Sequence, residues 1–167
     1  PVWRPCPTVA FAGGTLAAAA GLTAAPTLVR ALSLMQPALA RPAPDAAFFT
    51  GLAVALRQAY AERLSRLGEA PGTCTSHLSV VDRDGMAVAL TTTLLSSFGS
   101  RMVLPRTGIL MNNGVMWFDP RPGAANAIRP GGRPLTNMCP VVLRDGGAVR
   151  LVAGASGGRR ILPAVLQ

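Results

Sequence analysis

The chain has 167 residues, 50% of them hydrophobic and 14% charged, enough apolar length for one domain with a buried core and too apolar for a disordered segment. All basic residues are Arg, 16 against 7 acidic residues for a formal charge of +9, yet they are scattered (Arg4, Arg30, Arg57, Arg83, Arg106, Arg150) and aromatics are only 5%, which argues against a nucleic-acid surface. Cys6, Cys74 and Cys139 are odd in number and far apart, and His77 is the single histidine, so neither a structural metal nor a disulfide framework is expected.

Residues 5–29 carry one uninterrupted run without Asp, Glu, Lys or Arg. Gly13, Gly14, Gly21 and Pro26 break it and Ala dominates it, so a buried segment is expected rather than a membrane span. Thr8 to Ala12 reads as a short buried strand ended by Gly13-Gly14. Thr23 is placed to cap a helix through Leu28, Leu32 and Met35 that stops near Pro37. After the loop Ala40 to Pro44, Asp45 reads as the N-cap of a longer helix ending at about Leu67, with Gly68 as its stop. Phe48, Leu52, Val54, Ala55, Leu56, Ala59, Tyr60 and Leu64 are assigned to its apolar face, and Arg57, Glu62, Arg63 and Arg66 to its polar face. Gly72 then opens a link.

From Thr75 onward the period changes from helix to strand. The runs Ser76 to Val81 and Met86 to Leu94 flank Asp82-Arg83-Asp84-Gly85, a hairpin signature. Short segments follow around Val103 and at Ile109-Leu110-Met111, then a turn at Asn112-Asn113-Gly114 and a long Pro/Gly loop from Phe118 to Pro134. Pro140 to Leu143 and Val149 to Ala153 flank Asp145-Gly146-Gly147 as a second hairpin, and Gly154 to Gly158 lead into a last helix. The chain starts at Pro1 and stops at Gln167 inside an apolar run, which suggests a piece of a longer protein.

Few residues here carry chemistry. Thr75 stands at the seam between the helical and the strand-rich parts, where a chain that cuts itself would place a new N-terminal nucleophile. His77, two residues on, would share its face in a strand and offers a Thr-His dyad. The other way to activate a Thr is its own α-amine, released by cleavage of the preceding bond. From composition alone, Thr75 is an ordinary strand residue. Gly157-Gly158 before a helix offers free N–H groups suited to an anion or an oxyanion, although such a pair is also a common turn.

Five ordered blocks resemble the γ-glutamyltransferase family of N-terminal nucleophile hydrolases. They are Thr75-Ser76-His77-Leu78-Ser79-Val80-Val81-Asp82, Phe98-Gly99-Ser100, Thr107 to Asn113, Arg133-Pro134-Leu135 with Met138-Cys139-Pro140, and Gly157-Gly158-Arg159-Arg160-Ile161. The segment Ala55 to Leu67 resembles part of the family's large subunit. The resemblance implies an α+β fold, the αββα sandwich of N-terminal nucleophile hydrolases, incomplete at both ends. It divides the chain into 1–74, the end of the large subunit, and 75–167, the start of the small subunit. It implies self-cleavage between Cys74 and Thr75, with Thr75 as nucleophile, Thr93 bonded to it, and Gly157 and Gly158 forming the oxyanion hole. Thr136 and Asn137 match two Ser that hold the substrate's α-carboxylate. Neither metal nor organic cofactor is implied. The implied partners are a glutathione-like amide and the other half of the cleaved chain, as a heterodimer. The compartment, bacterial cytoplasm or periplasm, is left open.

The departures are as informative. Where the family binds the glutamyl α-amine with an Asn, a Gln and an Asp, this chain has Leu95, Gly114 and Trp117. None of these side chains accepts a hydrogen bond from an ammonium. The stretch Asn112 to Gly123 resembles the branch that includes oxamate amidohydrolase. Gly114 and Trp117 are then expected at the substrate, with Trp117 closing over a smaller acyl group or serving as core beneath the loop. The alternatives to a γ-glutamyl enzyme are a small-amide hydrolase and a truncated, non-catalytic relative.

Overall fold

The computed structural model describes residues 3–41, 43–68 and 74–167. The link that Gly72 opens lies outside them. The chain is α+β, with six strands and three α-helices among the described residues.

Strands β1 (Thr8–Phe11) and β2 (Gly14–Ala18) form a hairpin across Ala12 and Gly13. This corrects the expectation of one buried strand ended by Gly13-Gly14. Both turn residues have positive φ, 48° and 78°, the geometry of a two-residue hairpin turn. Strand β1 is a half-exposed edge.

Helix α1 (Ala25–Leu39) begins close to where expected, but its N-cap is Ala24, which makes no side-chain capping bond, rather than Thr23. Thr23 Oγ1 accepts from the N–H of Ala25 at 3.1 Å, and Pro26 lies in the first turn. It runs past Pro37 rather than stopping there. In the last turn a proline forfeits a single main-chain bond, and its fixed φ is already helical. The uncharged stretch therefore folds into β1, β2 and the start of α1. Among the described residues no helix is long and apolar enough to cross a membrane.

Helix α2 (Ala46–Leu67) has the expected caps. Asp45 accepts from the N–H of Phe48 at 2.8 Å, and Gly68 takes φ 78°. Its faces differ from expectation. Leu52, Ala55, Ala59 and Arg63 are buried, whereas Val54 and Leu64 are about half exposed.

Strands β5 (Val141–Asp145) and β6 (Ala148–Ala153) are the expected second hairpin, and β5 pairs with β2 to complete an antiparallel sheet in the order β1-β2-β5-β6. Register places Leu16 opposite Leu143 and Ala18 opposite Val141. These four side chains form one face, packed against Ala25, Leu28 and Leu32 of α1 and against Ile161 and Leu162. The latter two open the short helix α3 (Ile161–Leu166), entered through a 3-10 turn at Gly158–Arg160.

The first expected hairpin is β3 (Cys74–Val81) and β4 (Ala87–Leu95). Asp82 closes its turn by accepting from the N–H groups of Asp84 and Met86. It is a separate two-stranded sheet whose strands touch β5 and β6. Beyond it, Val103 bridges Leu110, and Gly114–Trp117 form a 3-10 turn where a simple turn was expected.

Candidate functional site

A β-bulge falls on the Cys74–Thr75 bond. Cys74 pairs with Leu95 and Thr75 with Thr93, so β4 carries one extra residue, Leu94, opposite that bond. Bulges re-aim side chains and bend the strand. Here the bulge gathers polar groups around the main chain of Cys74. The hydroxyl of buried Thr93 donates to the Cys74 carbonyl oxygen at 2.6 Å. It accepts from the Thr75 hydroxyl at 3.2 Å and from the N–H of Leu95 at 2.9 Å. One proton and two lone pairs are thus all used. An open cleft of about 440 Å³ meets this cluster, lined by Cys74, Thr75, Ser76, Thr92, Thr93 and Leu94.

His77 does not form the dyad offered by sequence spacing. Nδ1 lies 2.8 Å from the Thr91 hydroxyl and Nε2 lies 3.0 Å from that of Ser79. Both ring nitrogens are engaged along the hairpin. The ring instead packs on Gly154, where an added Cβ would fall 2.2 Å from it. Only glycine admits that approach. It ties β3 to the segment after β6 that leads into Gly157 and Gly158.

Gly157 has φ 122° and Gly158 φ 58°, both in the region that favours glycine. Gly158 is buried, and the Gly157 carbonyl accepts from Arg160 N at 3.1 Å. The α-helix expected directly after the pair is a 3-10 turn, and α3 is only six residues long. The pair is held from outside: Tyr60 Oη on α2 donates to the carbonyl of Arg159 at 2.8 Å.

Thr136 and Asn137 are anchored to α2 as well. Arg63 donates to the carbonyl oxygen of Thr136 at 2.8 Å and to Oδ1 of Asn137 at 3.2 Å. A further Arg63 bond reaches the carbonyl of Thr23 at 2.9 Å. Arg63 is 5% exposed. Burial lowers its pKa from the ordinary value of 12.5, but a guanidinium stays charged in any protein.

Leu95, Gly114 and Trp117, the three positions expected to depart from the family pattern, come together in space. Leu95, Trp117 and Leu135 form one buried cluster, with Leu22, Leu67 and Met138 against it. Gly114 lies against the Trp117 ring, which an added Cβ would approach to 3.2 Å. Leu95 holds φ 69°, a conformation that Asn tolerates and Leu rarely adopts. Trp117 is therefore core beneath the Pro/Gly loop, whose Asn126 donates to the Trp117 carbonyl at 2.6 Å. Among the described residues no group of three His, Cys, Asp or Glu is placed to hold a metal ion.

The sequence pattern of the family described as Gamma-glutamyltranspeptidase matches residues 20–167. The chain belongs to this family. It is 46% identical over 107 residues to the glutathione hydrolase proenzyme of Arthroderma benhamiae, covering 58% of this chain and 18% of that protein. Against the glutathione hydrolase proenzyme of Escherichia coli it is 44% identical over 103 residues, covering 56% of this chain and 18% of that protein. The matched region thus spans under a fifth of either relative. Among solved structures, a gamma-glutamyltranspeptidase from Pseudomonas nitroreducens superposes with TM-score 0.50 at 40% identity, over 55% of this chain and 53% of that one. Cephalosporin acylase from Bacillus halodurans superposes over 100% of this chain and 37% of that one, with TM-score 0.81 at 18% identity, a likeness of fold alone.

Sequence reasoning missed Arg63 and Tyr60 as residues that organise this part of a gamma-glutamyltranspeptidase chain. A signal was present. Leu52, Ala55, Ala59 and Arg63 recur at helical spacing, which puts Arg63 on the buried stripe.

Proposed function

We propose that the full-length protein is a self-processing gamma-glutamyltranspeptidase-type enzyme that transfers or hydrolyses an amide through an acyl-enzyme on Thr75. The observation that carries this reading is the Thr75–Thr93–Cys74 cluster at the bulge. The fold is that of the αββα N-terminal nucleophile hydrolases, with residues 1–74 closing the large subunit and 75–167 opening the small one. The two parts stay paired after cleavage, because Arg63 and Tyr60 of α2 bond across the seam to residues 136, 137 and 159.

The chemistry follows from the hydrogen bonds. Thr93 polarises the Cys74 carbonyl while holding the Thr75 hydroxyl beside it. Attack by Thr75 Oγ1 forms the C–O bond to that carbonyl carbon. Collapse breaks the Cys74–Thr75 C–N bond, and the hydroxyl proton ends on the released amine. Water then hydrolyses the ester, leaving a carboxylate on Cys74 and a free α-amine on Thr75. That amine is the base for later turnover. The Cys74 carbonyl no longer occupies Thr93, whose proton is then available to Thr75 Oγ1. Gly157 and Gly158 supply main-chain N–H groups to the oxyanion, and Thr136 and Asn137 receive the substrate's carboxylate.

The fused apolar cluster of Leu95, Gly114 and Trp117 favours a second reading of the substrate. A buried apolar cluster offers nothing to an ammonium. An acyl group without an α-amine, as in a small amide such as oxamate, needs no acceptor from these positions.

Mass spectrometry of the full-length protein tests the central reading. Wild type is expected as two chains divided before Thr75, and Thr75→Ala as one uncut, inactive chain. An uncut wild type after prolonged incubation, or turnover by Thr75→Ala, overturns it. Rates with γ-glutamyl-anilide and with oxamate separate the two substrates, and efficient γ-glutamyl turnover refutes the argument from Leu95, Gly114 and Trp117.

A further inference from the structure

We infer that Asn113 is a positioning residue for self-cleavage, clamping the chain on either side of Leu95 so that the Thr93 hydroxyl is aimed at the Cys74 carbonyl. This rests on the reading of Thr75 as the self-cleaving nucleophile.

Sequence reads Asn112-Asn113-Gly114 as a turn, yet the polar groups of Asn113 reach back onto the end of β4. Its main-chain N–H donates to the Leu94 carbonyl at 3.3 Å. Its side-chain Oδ1 accepts from the N–H of Ser96 at 3.2 Å, and Nδ2 donates to the Ser96 hydroxyl at 2.8 Å. A main-chain N–H can only donate, so the atom facing Ser96 N is fixed as Oδ1 and the amide has one orientation. The Asn113 carbonyl accepts from the N–H of Met116 at 3.0 Å, which anchors the clamp to the 3-10 turn Gly114–Trp117.

Leu94 and Ser96 flank Leu95, whose φ of 69° is one that Leu rarely adopts. Such a conformation persists only where the surroundings hold it. The Leu94 carbonyl and the Leu95 N–H belong to one planar peptide unit and point in opposite directions. With the carbonyl held by Asn113, the N–H is directed to Thr93 Oγ1, at 2.9 Å. The Ser96 N–H belongs to the next peptide unit. Asn113 thus grips both units that meet at Leu95 and fixes the rotation between them. The consequence reaches the reacting bond. The Leu95 N–H and the Thr75 hydroxyl occupy the two lone pairs of Thr93 Oγ1, which directs its proton to the Cys74 carbonyl at 2.6 Å.

The test follows self-cleavage of the full-length protein over time. Asn113→Ala is expected to slow it about tenfold, the scale of one lost hydrogen bond. Asn113→Asp keeps an acceptor for the Ser96 N–H, and the Ser96 hydroxyl can turn to donate, so its rate should return to within about threefold of wild type. Because Asn113 acts through Thr93, adding Asn113→Ala to Thr93→Val should slow cleavage by less than about twofold more. A merely structural role would give the full further loss. Ser96→Ala removes one of the two side-chain bonds, should slow cleavage about threefold with the same non-additivity, and carries the test if Asn113→Ala does not fold. A wild-type rate in folded Asn113→Ala, or a full further tenfold loss in the Thr93→Val background, overturns the inference. Hydrogen exchange at the Leu95 amide, resolved by fragmentation mass spectrometry, should quicken about tenfold in Asn113→Ala. If wild type stays uncut, the Thr75 chemistry fails and exchange decides: faster exchange leaves the hold of Asn113 on Thr93 standing, and unchanged exchange overturns it.

Discussion

The two sheets of this chain are built from similar residues and stabilised differently. In the four-stranded sheet, one face is closed by helices, and Leu16, Ala18, Val141 and Leu143 are each at most 6% exposed. In the β3–β4 hairpin, Leu78, Val80, Val88 and Leu90 are about half exposed, although register pairs Leu78 with Leu90 and Val80 with Val88. Burial in the hairpin is concentrated at its open end, at Thr93 and Leu95. A two-stranded hairpin is marginal alone. The proposed chemistry thus sits where the less covered sheet is fastened to the better covered one. The closed core provides stability, and the fastened end of the hairpin provides geometry.

The largest effect that would break this contrast is on the core. Leu28→Ala removes a side chain that is 1% exposed and should destabilise by about 2–5 kcal/mol. Leu78→Ala, at 56% exposure, should change stability by about 0.5 kcal/mol or less. Chemical denaturation of both variants in the full-length protein checks the pair. Equal losses would mean that Leu78 is covered by parts of the protein outside this chain.

Next comes geometry at the fastened end. Thr93→Val keeps the shape of a buried side chain but removes the hydroxyl shared by Thr75, Cys74 and Leu95. Self-cleavage should slow about a hundredfold, the scale of losing one donor to a reacting carbonyl. A time course of chain cleavage reads this directly. Gly154→Ala acts on the same joint from the other side, because its Cβ would overlap the His77 ring. Overpacking there should cost about 1–3 kcal/mol. Melting temperature reports the cost, and slower cleavage alongside it would show that the His77 contact also sets the site.

Legibility in the sequence follows the same division. Features set by a few adjacent residues were readable: the Asp45 and Gly68 caps, the Asp-Gly turn of β3–β4, and the second hairpin at Asp145-Gly146-Gly147. The β1–β2 hairpin escaped because its turn uses Ala12 at φ 48°, and Ala gives none of the usual positive-φ signal. Arg63 escaped because its partners lie far along the chain, and charge alone suggested solvent. At the site, Thr75 and its neighbours were named from resemblance rather than from composition. The bulge that brings Thr93 onto the Cys74 carbonyl is a property of pairing, which no single strand displays. Likewise, Leu95, Gly114 and Trp117 each read as a separate loss, and only packing shows them as one apolar unit.

The smallest predicted effect belongs to the loop that covers this unit. Asp119 accepts from its neighbour Arg121 through Nε at 3.0 Å, Nη2 at 2.7 Å and the main-chain N–H at 2.9 Å. These bonds, the side-chain ones foremost, hold its pKa down to about 2 from the ordinary 3.8. The folded chain therefore favours the ionised carboxylate more than the unfolded chain does. The resulting stability is present above about pH 4 and is lost as pH falls toward about 2. Because Arg121 is 83% exposed, the contribution is small and weakens with salt. The melting temperature of wild type should exceed that of Asp119→Asn slightly at pH 5 in low salt, and the gap should close by pH 2. A gap that persists at pH 2 would mean that Asp119 acts through the shape of its turn, where Asn and Asp differ, rather than through its charge.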